Sequence, residues 1–350
     1  MNQNTLMRIK DAINAYKSGQ MLIVMDDEDR ENEGDLVLAG IFATPDKINF
    51  MAKFARGLIC TAITSDLAKT LDLPPMVQDN DSNHHTAFTI SIDAKEAKTG
   101  ISAFERAMTI ELMCKDNPSP SDFVRPGHIF PLVAKDGGVL VRTGHTEAGV
   151  DLCLLAGLKP VSVICEIMKD DGSMARRGDK FISDFAKEHD IKILYISDLV
   201  AYRIEHDNLL DLINQSQISF LSHSCTKIEF QDHLKRSHFA LKFGEAKRPF
   251  VKFQFMRNNF EFLCDEPKFD FFYLSLQKIA KEGGFIIFLD DKSAPGDIVK
   301  NIGIGSGILK SLGVHNFTLL SNSKRVYNAL GGFGLEICKT INLSELKGQI

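Results

Sequence analysis

The sequence predicts an α+β protein of two domains, each of them a mixed β-sheet covered by helices. The chain has 350 residues, which is long enough to build two separate hydrophobic cores. Short runs of β-branched and aliphatic residues, typical of buried strands, alternate with segments whose apolar residues recur at helical spacing. Sixteen of the 25 phenylalanines follow residue 204, so the second half can build its own core. We therefore predict domains at residues 1–203 and 204–350.

The composition of the chain argues against several classes of function. A net charge of −5 and a pI near 6.1 argue against binding to nucleic acid, which favours basic proteins. No apolar run approaches the length of a membrane span, and the N-terminal stretch lacks the apolar core of a signal peptide. The seven cysteines form no Cys-x-x-Cys or Cys-x-Cys pair, which indicates reduced thiols. We therefore expect a cytoplasmic protein with no nucleic-acid or membrane partner.

Helices and strands are predicted on both sides of an acidic segment at residues 26–35. A helix over residues 6–16 precedes the segment, because apolar residues recur there at helical spacing. A second helix follows it; Thr44-Pro45-Asp46 opens this helix, with Pro45 in the first turn, where proline is favoured, and Gly57 ends it. The strand predicted next contains Cys60, which is most simply a buried thiol.

The acidic segment lies between two strand-like apolar runs at residues 21–25 and 36–39. Its seven carboxylates fall within ten residues and are Asp26, Asp27, Glu28, Asp29, Glu31, Glu33 and Asp35. If the segment is extended, side chains alternate, and Glu31, Glu33 and Asp35 share one side. Carboxylates suit Mg²⁺, and an arginine among them can hold a phosphate. The alternative is a solvated acidic turn. An EF-hand does not fit, because the spacing provides no glutamate at the twelfth position of the loop.

A histidine flanked by prolines is the next candidate. The prolines on both sides of His128 restrict the backbone, and a fixed backbone aims the imidazole. The alternative is a histidine with a purely structural role. Ahead of it, residues 87–92 predict a strand, and Ser102 with Glu105 predicts a capped helix start.

The segment at residues 139–152 combines several groups that suit an anion. A predicted strand ends at Arg142, Gly144 permits a tight turn, and Thr146 begins a helix whose N–H groups can receive a phosphate. His145 lies between these residues and suits a metal ion or proton transfer. The segment therefore predicts a phosphate site with an imidazole beside it.

Glu166 lies near the carboxyl end of a strand predicted over residues 161–167. Active-site acids are often placed in this way, and a carboxyl group among apolar neighbours tends to hold its proton. A divalent metal, a phosphate and acid–base groups in one domain suggest enolisation of a phosphosugar, by a magnesium-dependent isomerase or aldolase. The non-enzymatic alternative is an acidic metal-buffering or scaffold protein.

Four segments carry a resemblance to a known family. They are Asp-Asp-Glu-Asp-Arg-Glu-Asn-Glu-Gly-Asp, Arg-Pro-Gly-His-Ile-Phe-Pro-Leu, Arg-Thr-Gly-His-Thr-Glu-Ala and Val-Ile-Cys-Glu-Ile. In this order they resemble 3,4-dihydroxy-2-butanone 4-phosphate synthase of riboflavin biosynthesis, over about residues 6–203. The resemblance implies conversion of D-ribulose 5-phosphate to L-3,4-dihydroxy-2-butanone 4-phosphate and formate, through a metal-stabilised enediolate. It also implies a homodimer with Mg²⁺ or Mn²⁺, two ions per active site.

The resemblance also implies roles for individual residues. The metal ligands are Glu31 and His145. The catalytic positions are Asp26, Glu31, Cys60, His128 and Glu166. The substrate-binding positions are Arg30, Asp35, Arg142, Thr143, Gly144, His145, Thr146 and Glu166. The sequence departs from the family at Phe104 and Glu105, where a small or polar residue followed by aspartate is usual.

The second half of the chain predicts further strands and helices. Residues 250–255 alternate as a strand does, and residues 285–289 form a continuous apolar run that also predicts a strand. Between them, residues 271–281 predict an amphipathic helix that ends at a glycine pair.

The stretches at residues 302–314, 319–325 and 331–336 are similar to GTP cyclohydrolase II. Enzymes of that family hold a zinc ion with three cysteines, two of them in Cys-x-Cys, and this chain has no such pair. Residues 298–300 also replace the family's Asp-x-Arg. We therefore expect a GTP cyclohydrolase II-like domain without zinc and without activity. It would act as a structural or dimer-supporting module, or as a regulatory pocket at residues 321–322. The alternative is a bifunctional enzyme with residual GTP cyclohydrolase II activity.

Overall fold

The computed structural model describes residues 3–207, 210–233, 235–256, 259–290, 298–322 and 335–348. The chain divides into two compact units, Met1–Arg203 and Ile204–Ile350. Each unit contains a seven-stranded sheet with both parallel and antiparallel pairs, and helices cover the sheets. The predicted fold class is therefore confirmed.

The first unit has the strand order β4-β5-β3-β6-β2-β1-β7 in its sheet. Its strands are β1 (Leu22–Met25), β2 (Gly34–Ala39), β3 (Cys60–Ile63), β4 (Ile92–Ala94), β5 (Phe123–Val133), β6 (Val161–Glu166) and β7 (Lys192–Tyr195). The helices are α1 (Gln3–Lys17), α2 (Pro45–Phe50), α3 (Ser65–Thr70), α4 (Ala103–Met113), α5 (His145–Leu155), α6 (Lys180–Glu188) and α7 (Ile196–His206), which crosses the division between the units.

Side chains alternate along these strands and build one apolar layer on each face of the sheet. On one face, Val37 and Ile164 pack with α1 and α5, through residues such as Tyr16 and Leu152. The other face packs on α2, α4 and α6, through residues that include Ile48, Ile110 and Phe185. Both faces of the sheet are therefore buried, and a buried polar group such as Ser162 has a hydrogen-bond partner, here the Tyr16 hydroxyl at 2.8 Å.

Local sequence signals for helix starts are confirmed by the structure. The Thr44 hydroxyl accepts the backbone N–H of Lys47 at 3.5 Å, and Pro45 occupies the first turn of α2. The Ser102 hydroxyl accepts the N–H of Glu105 at 3.2 Å and caps α4. These signals succeed because each involves residues within one turn of the other.

Two strand predictions are wrong. In the predicted strand 87–92, Phe88 and Thr89 make only isolated bridges, and the strand begins at Ile92. Residues Gly138–Leu140 form a 3₁₀ turn in place of a strand that ends at Arg142. Gly137 and Gly138 have φ angles of 93° and 62°, and the Val139 N–H donates to the buried Asp151 carboxylate at 2.8 Å. The backbone of this segment therefore bonds to a side chain and has no partner strand.

The second unit has the strand order β14-β13-β11-β12-β10-β9-β8. Its strands are β8 (Leu210–Phe220), β9 (His223–Asp232), β10 (Ser237–Phe243), β11 (Phe250–Met256), β12 (Gly284–Asp290), β13 (Asn316–Leu320) and β14 (Glu336–Ile341). The helices are α8 (Asn259–Cys264), α9 (Glu266–Glu282), α10 (Ile298–Ser311) and α11 (Leu343–Lys347). The elements predicted at 250–255, 271–281 and 285–289 are confirmed as β11, α9 and β12. The stretches at 323–325 and 331–334, part of the GTP cyclohydrolase II resemblance, lie outside the described residues.

Lys252 is buried between β11 and α9, and replacing it is expected to stabilise the second unit. Its ammonium lies 4.3 Å from the Phe271 ring centroid, and burial lowers its pKa to about 8. The folded state therefore binds this proton more weakly than the unfolded chain does. The penalty is present in full below about pH 8 and disappears as the pH rises through 10.5, the ordinary value.

We expect Lys252→Met to raise the free energy of unfolding at pH 7 by up to roughly 3 kcal/mol, from 1.36 kcal/mol per pKa unit. The gain should shrink as the pH approaches 10.5. Thermal unfolding at several pH values measures it, with the exposed Lys281→Met as control. A gain that does not vary with pH would contradict the electrostatic explanation.

Candidate active site

The candidate residues of the strands lie on one face of the first sheet. Asp35 of β2 pairs with Glu166 of β6, and Cys60 of β3 pairs with both Ile164 of β6 and Phe130 of β5. Because side chains alternate, Glu166 shares the face of Ile164, and His128 shares the face of Phe130. Asp35, Cys60, His128 and Glu166 therefore face the layer that contains α5.

α5 begins with His145, which is buried and fixed in orientation. Its Nε2 lies 3.1 Å from the Val24 carbonyl oxygen of β1. A carbonyl oxygen only accepts, so Nε2 carries the hydrogen. The other ring nitrogen, Nδ1, lies 3.9 Å from the Glu31 carboxylate. When the ring is neutral, the lone pair of Nδ1 therefore faces Glu31, which is the arrangement of a metal-binding histidine whose second nitrogen is held by an outer partner.

The acidic segment curls around Asp26, so the extended arrangement considered for it is wrong. The buried Asp26 carboxylate accepts the N–H of Glu31 at 3.1 Å, the N–H of Glu33 at 2.8 Å and the Arg30 guanidinium at 2.8 Å. Arg30 also donates to the Glu31 carboxylate. Because one carboxylate accepts three hydrogen bonds, the backbone turns around it. This turn places Glu31 near His145.

Asp26, Glu31 and His145 form a group with the geometry of a cation site. One ligand atom from each lies within 4.8 Å of the others, and this is the one such group among the described residues. Beside it, the Asp35 Oδ1 atom is buried without a hydrogen-bond partner. Two carboxylates and an imidazole suit a divalent ion that keeps several waters. The donor set therefore fits Mg²⁺ or Mn²⁺.

The charges of this group shift one another's titration. Burial opposes the ionisation of Glu31, but the facing His145 imidazole and the Arg30 charge outweigh it and lower its pKa to about 2. Burial likewise opposes the charged form of His145, yet Asp35 and Glu31 raise its pKa to about 9. Burial raises the pKa of Asp35 to about 7. A metal ion at His145 Nδ1 would therefore displace a proton.

Glu166 is fixed by the backbone that precedes β3. Its Oε2 accepts the Leu58 N–H at 2.8 Å. A Cβ atom on Gly57 would lie 2.6 Å from this oxygen and 2.4 Å from the Glu166 carbonyl oxygen. Only glycine allows so close an approach, so Gly57 and Leu58 together set the position of the carboxylate.

Arg142 lies ahead of α5 and is held by several partners. The guanidinium donates to the buried Glu147 carboxylate at 2.7 Å, to the His84 carbonyl at 3.1 Å and to the Thr86 hydroxyl at 3.2 Å. Gly144 precedes the helix without a side-chain cap, and Thr146 is buried in its first turn, while Thr143 is half-buried. The first turn of α5 therefore suits an anion, as the sequence predicts.

A cavity of about 720 Å³ opens beside these groups. Glu31, Thr86 and Lys135 line it, together with the polar loop at residues 80–85. It is large enough for a sugar phosphate and is bounded by both carboxylate and cationic groups.

Cys60 is buried at the centre of the sheet, and burial raises the pKa of its thiol. A protonated, enclosed thiol is a poor nucleophile. Cys60 therefore contributes to packing near the site and is unsuited to covalent catalysis.

Sequence reasoning missed two buried carboxylates. Asp93 lies against His128, with its Oδ2 atom 2.8 Å from Nδ1, and Glu147 holds Arg142. A single carboxylate inside the apolar run 90–94 is a signal that could have identified Asp93, because a buried charge requires a partner. Asp26 was predicted as a catalytic position, and the structure brings it into the metal-site geometry.

No helix in the described part of the chain is both long and apolar enough to span a bilayer.

Comparisons with known proteins agree on one family. The sequence profile of 3,4-dihydroxy-2-butanone 4-phosphate synthase matches residues 10–202, and that of GTP cyclohydrolase II matches residues 290–342. A 3,4-dihydroxy-2-butanone 4-phosphate synthase of Helicobacter pylori is 61% identical over 97% of this chain and 99% of its own length.

Comparisons with solved structures identify the same family. A two-domain 3,4-dihydroxy-2-butanone 4-phosphate synthase from A. baumannii superposes with a TM-score of 0.80 at 38% identity, covering 95% of this chain and 99% of its own. A synthase crystallised with two magnesium ions matches with a TM-score of 0.53 at 40% identity, over 57% of this chain and 97% of its own. The predicted resemblance is confirmed, and the chain belongs to the 3,4-dihydroxy-2-butanone 4-phosphate synthase family.

Proposed function

We propose that the first unit converts D-ribulose 5-phosphate to L-3,4-dihydroxy-2-butanone 4-phosphate and formate, as a step of riboflavin biosynthesis. The observation that carries the proposal is the convergence of Asp26, Glu31 and His145, from distant parts of the chain, next to Asp35. Deprotonation next to a carbonyl and loss of a one-carbon fragment require stabilisation of negative charge on oxygen. A divalent ion beside fixed carboxylates meets that requirement.

Glu31, His145 and Asp26 would hold Mg²⁺ or Mn²⁺, with a second ion bound nearby as in the related synthase structure that contains two magnesium ions. A bound ion supplies Lewis-acid polarisation of the keto and hydroxyl oxygens. The protein supplies the rest by holding the Nδ1 lone pair of His145 in place and keeping Glu31 ionised at neutral pH.

Proton transfers would fall to the carboxylates and the imidazole on the same face of the sheet. The buried Asp35 carboxyl has a pKa near 7, which suits a group that takes and returns a proton at neutral pH. Glu166 is held by the Leu58 N–H and directed at the same region. His128 lies on β5, on the other side of β3 from Glu166. These three groups are the proposed acids and bases around the sugar carbons.

The phosphate would bind at the start of α5. Glu147 fixes the plane of the Arg142 guanidinium, so the arginine can present paired donors to phosphate oxygens. Gly144, His145 and Thr146 add the first-turn N–H groups, and Thr143 lies next to them. Arg30 would contact the substrate from the opposite side once an ion replaces it between Asp26 and Glu31.

A homodimer is part of the proposal. Phe104 and Met108 lie one turn apart on α4, Ile101 lies just before its cap residue Ser102, and all three are exposed, Phe104 by 72%. An exposed apolar stripe of this kind is typical of a protein interface. A second copy of the chain is the proposed occupant.

Formate release from D-ribulose 5-phosphate tests the assignment directly. The purified protein should form formate and the four-carbon phosphate in equal amounts with Mg²⁺, and none after chelation of divalent ions. A sugar-phosphate isomer as the product, or no turnover at any metal concentration, would contradict it.

The second unit is expected to be inactive toward GTP. Cys225 is buried on β9, whereas Cys264 and Cys338 are exposed at the end of α8 and on β14, and the family profile matches only residues 290–342. We predict less than one zinc per ten chains by elemental analysis and no release of formate or pyrophosphate from GTP. Stoichiometric zinc with GTP turnover would establish the bifunctional alternative.

A further inference from the structure

Asp93 and His128 form a pair that the family assignment does not account for. The Asp93 Oδ1 atom accepts the backbone N–H of His128 at 2.8 Å, and Oδ2 lies 2.8 Å from the ring Nδ1. One carboxylate therefore holds both the main chain and the ring of the same histidine. The Asp93 side chain is 9% exposed and that of His128 is 43% exposed, so the pair has a buried end and an open end.

The carboxylate determines which ring nitrogen carries the hydrogen. An ionised carboxylate only accepts, so a neutral His128 must place its hydrogen on Nδ1. Nε2 then has a free lone pair, and it makes no hydrogen bond among the described residues. That nitrogen can take a proton from a substrate and return it.

The loop before α4 closes over this pair and is itself held by Glu105. Gly100 has a φ of 80°, and a Cβ atom there would lie 1.9 Å from Asp93 Oδ2 and 2.6 Å from His128 Nδ1. Glu105 accepts the N–H groups of Lys98 at 2.6 Å and Gly100 at 3.1 Å, and the Thr99 hydroxyl at 2.9 Å. Glutamate at this position therefore reaches the loop backbone, and the departure from the family's aspartate preserves the loop.

We infer that Asp93 is a positioning residue that fixes His128 as the Nδ1–H tautomer and presents Nε2 to the substrate, with Gly100 as the backbone position that allows the pair to form. The inference rests on the proposed function, because it assigns proton transfer to His128. Asp93 itself does not contact the reacting atoms.

Nitrogen NMR of the wild-type protein tests the tautomer without reference to activity. Protein labelled with ¹⁵N-histidine gives separate signals for protonated and unprotonated ring nitrogens, and His128→Gln identifies the signals of this ring. We expect the hydrogen on Nδ1 when the ring is neutral. A hydrogen on Nε2 would overturn the inference, even if the enzyme is fully active.

Asp93→Asn tests the consequence for catalysis. The amide oxygen still accepts the backbone N–H, but the amide N–H₂ donates to Nδ1, so the hydrogen moves to Nε2. We expect kcat to fall by about 10²–10⁴-fold with KM nearly unchanged. Asp122→Asn is the matched control, because that carboxylate also accepts a backbone N–H, from Ser119 at 3.0 Å, without contacting His128.

A wild-type kcat in Asp93→Asn would overturn the inference. If that variant does not fold, the wild-type spectrum still decides the question. Absence of formate release from the wild-type protein, with the Nδ1–H tautomer present, would instead refute the proposed function and leave the pair as an observed arrangement.

Discussion

Glu31→Gln is expected to abolish metal-dependent formate release, with kcat/KM lower by about 10³-fold or more. Glutamine keeps the size of the side chain but removes the negative charge that faces His145 Nδ1 at 3.9 Å. The ion would lose its strongest ligand, because Asp26 is already occupied by Arg30 and by two backbone N–H groups. His145→Ala should have an effect of similar size, since it removes the nitrogen ligand.

Formate production and Mg²⁺ binding by calorimetry should be lost together in Glu31→Gln. Glu28→Gln is the matched control, because this exposed carboxylate belongs to the same acidic segment but lies outside the cluster. Near-normal turnover in Glu31→Gln and in His145→Ala would remove the basis of the metal assignment.

Glu166→Gln is expected to lower kcat by about 10²–10⁴-fold, the usual contribution of a general acid or base. Unlike the change at Glu31, it should leave Mg²⁺ binding intact, because Glu166 is outside the cluster of potential ligands. The glutamine can still accept the Leu58 N–H through its amide oxygen. A lower kcat would therefore reflect the loss of proton transfer and not a displaced side chain.

Gly57→Ala provides the complementary change, since it displaces the Glu166 carboxylate without altering its charge. Steady-state kinetics and calorimetry on both variants, with the exposed Glu111→Gln as control, separate the two effects. Loss of Mg²⁺ affinity in Glu166→Gln would show that this carboxylate is a ligand and that its assignment to proton transfer is wrong.

Local patterns predicted much of the fold, because the decisive contacts lie within one turn or one strand. The caps at Thr44 and Ser102 and the strands that contain Cys60 and Glu166 are examples. Predictions failed where a side chain from another part of the chain determined the backbone conformation. Asp151 captures the Val139 N–H, and Asp26 collects the N–H groups of the acidic segment, so neither segment is extended as its residues alone suggest.

The separate parts of the site could be predicted from their residues, but their assembly into one site could be predicted only through resemblance to a family. Spacing within the sequence does not indicate that Glu31 and His145, 114 residues apart in the chain, come within 3.9 Å. That approach depends on the order of β1, β2 and β6 in the sheet and on α5 crossing the same face. Asp93 was missed for a related reason: its partner, His128, is on another strand, and the two meet at an irregularity in the pairing of β4 with β5.

The ion pairs of Arg30 affect how the enzyme would bind its metal ion. A guanidinium between Asp26 and Glu31 acts as a resident counterion, so an incoming Mg²⁺ would compete with it, and its binding free energy would reflect only the difference between the two attractions. The metal should therefore exchange freely and be removable by dialysis. A displaced Arg30 would be available to an anionic sugar, so we expect the metal ion and the substrate each to raise the affinity for the other.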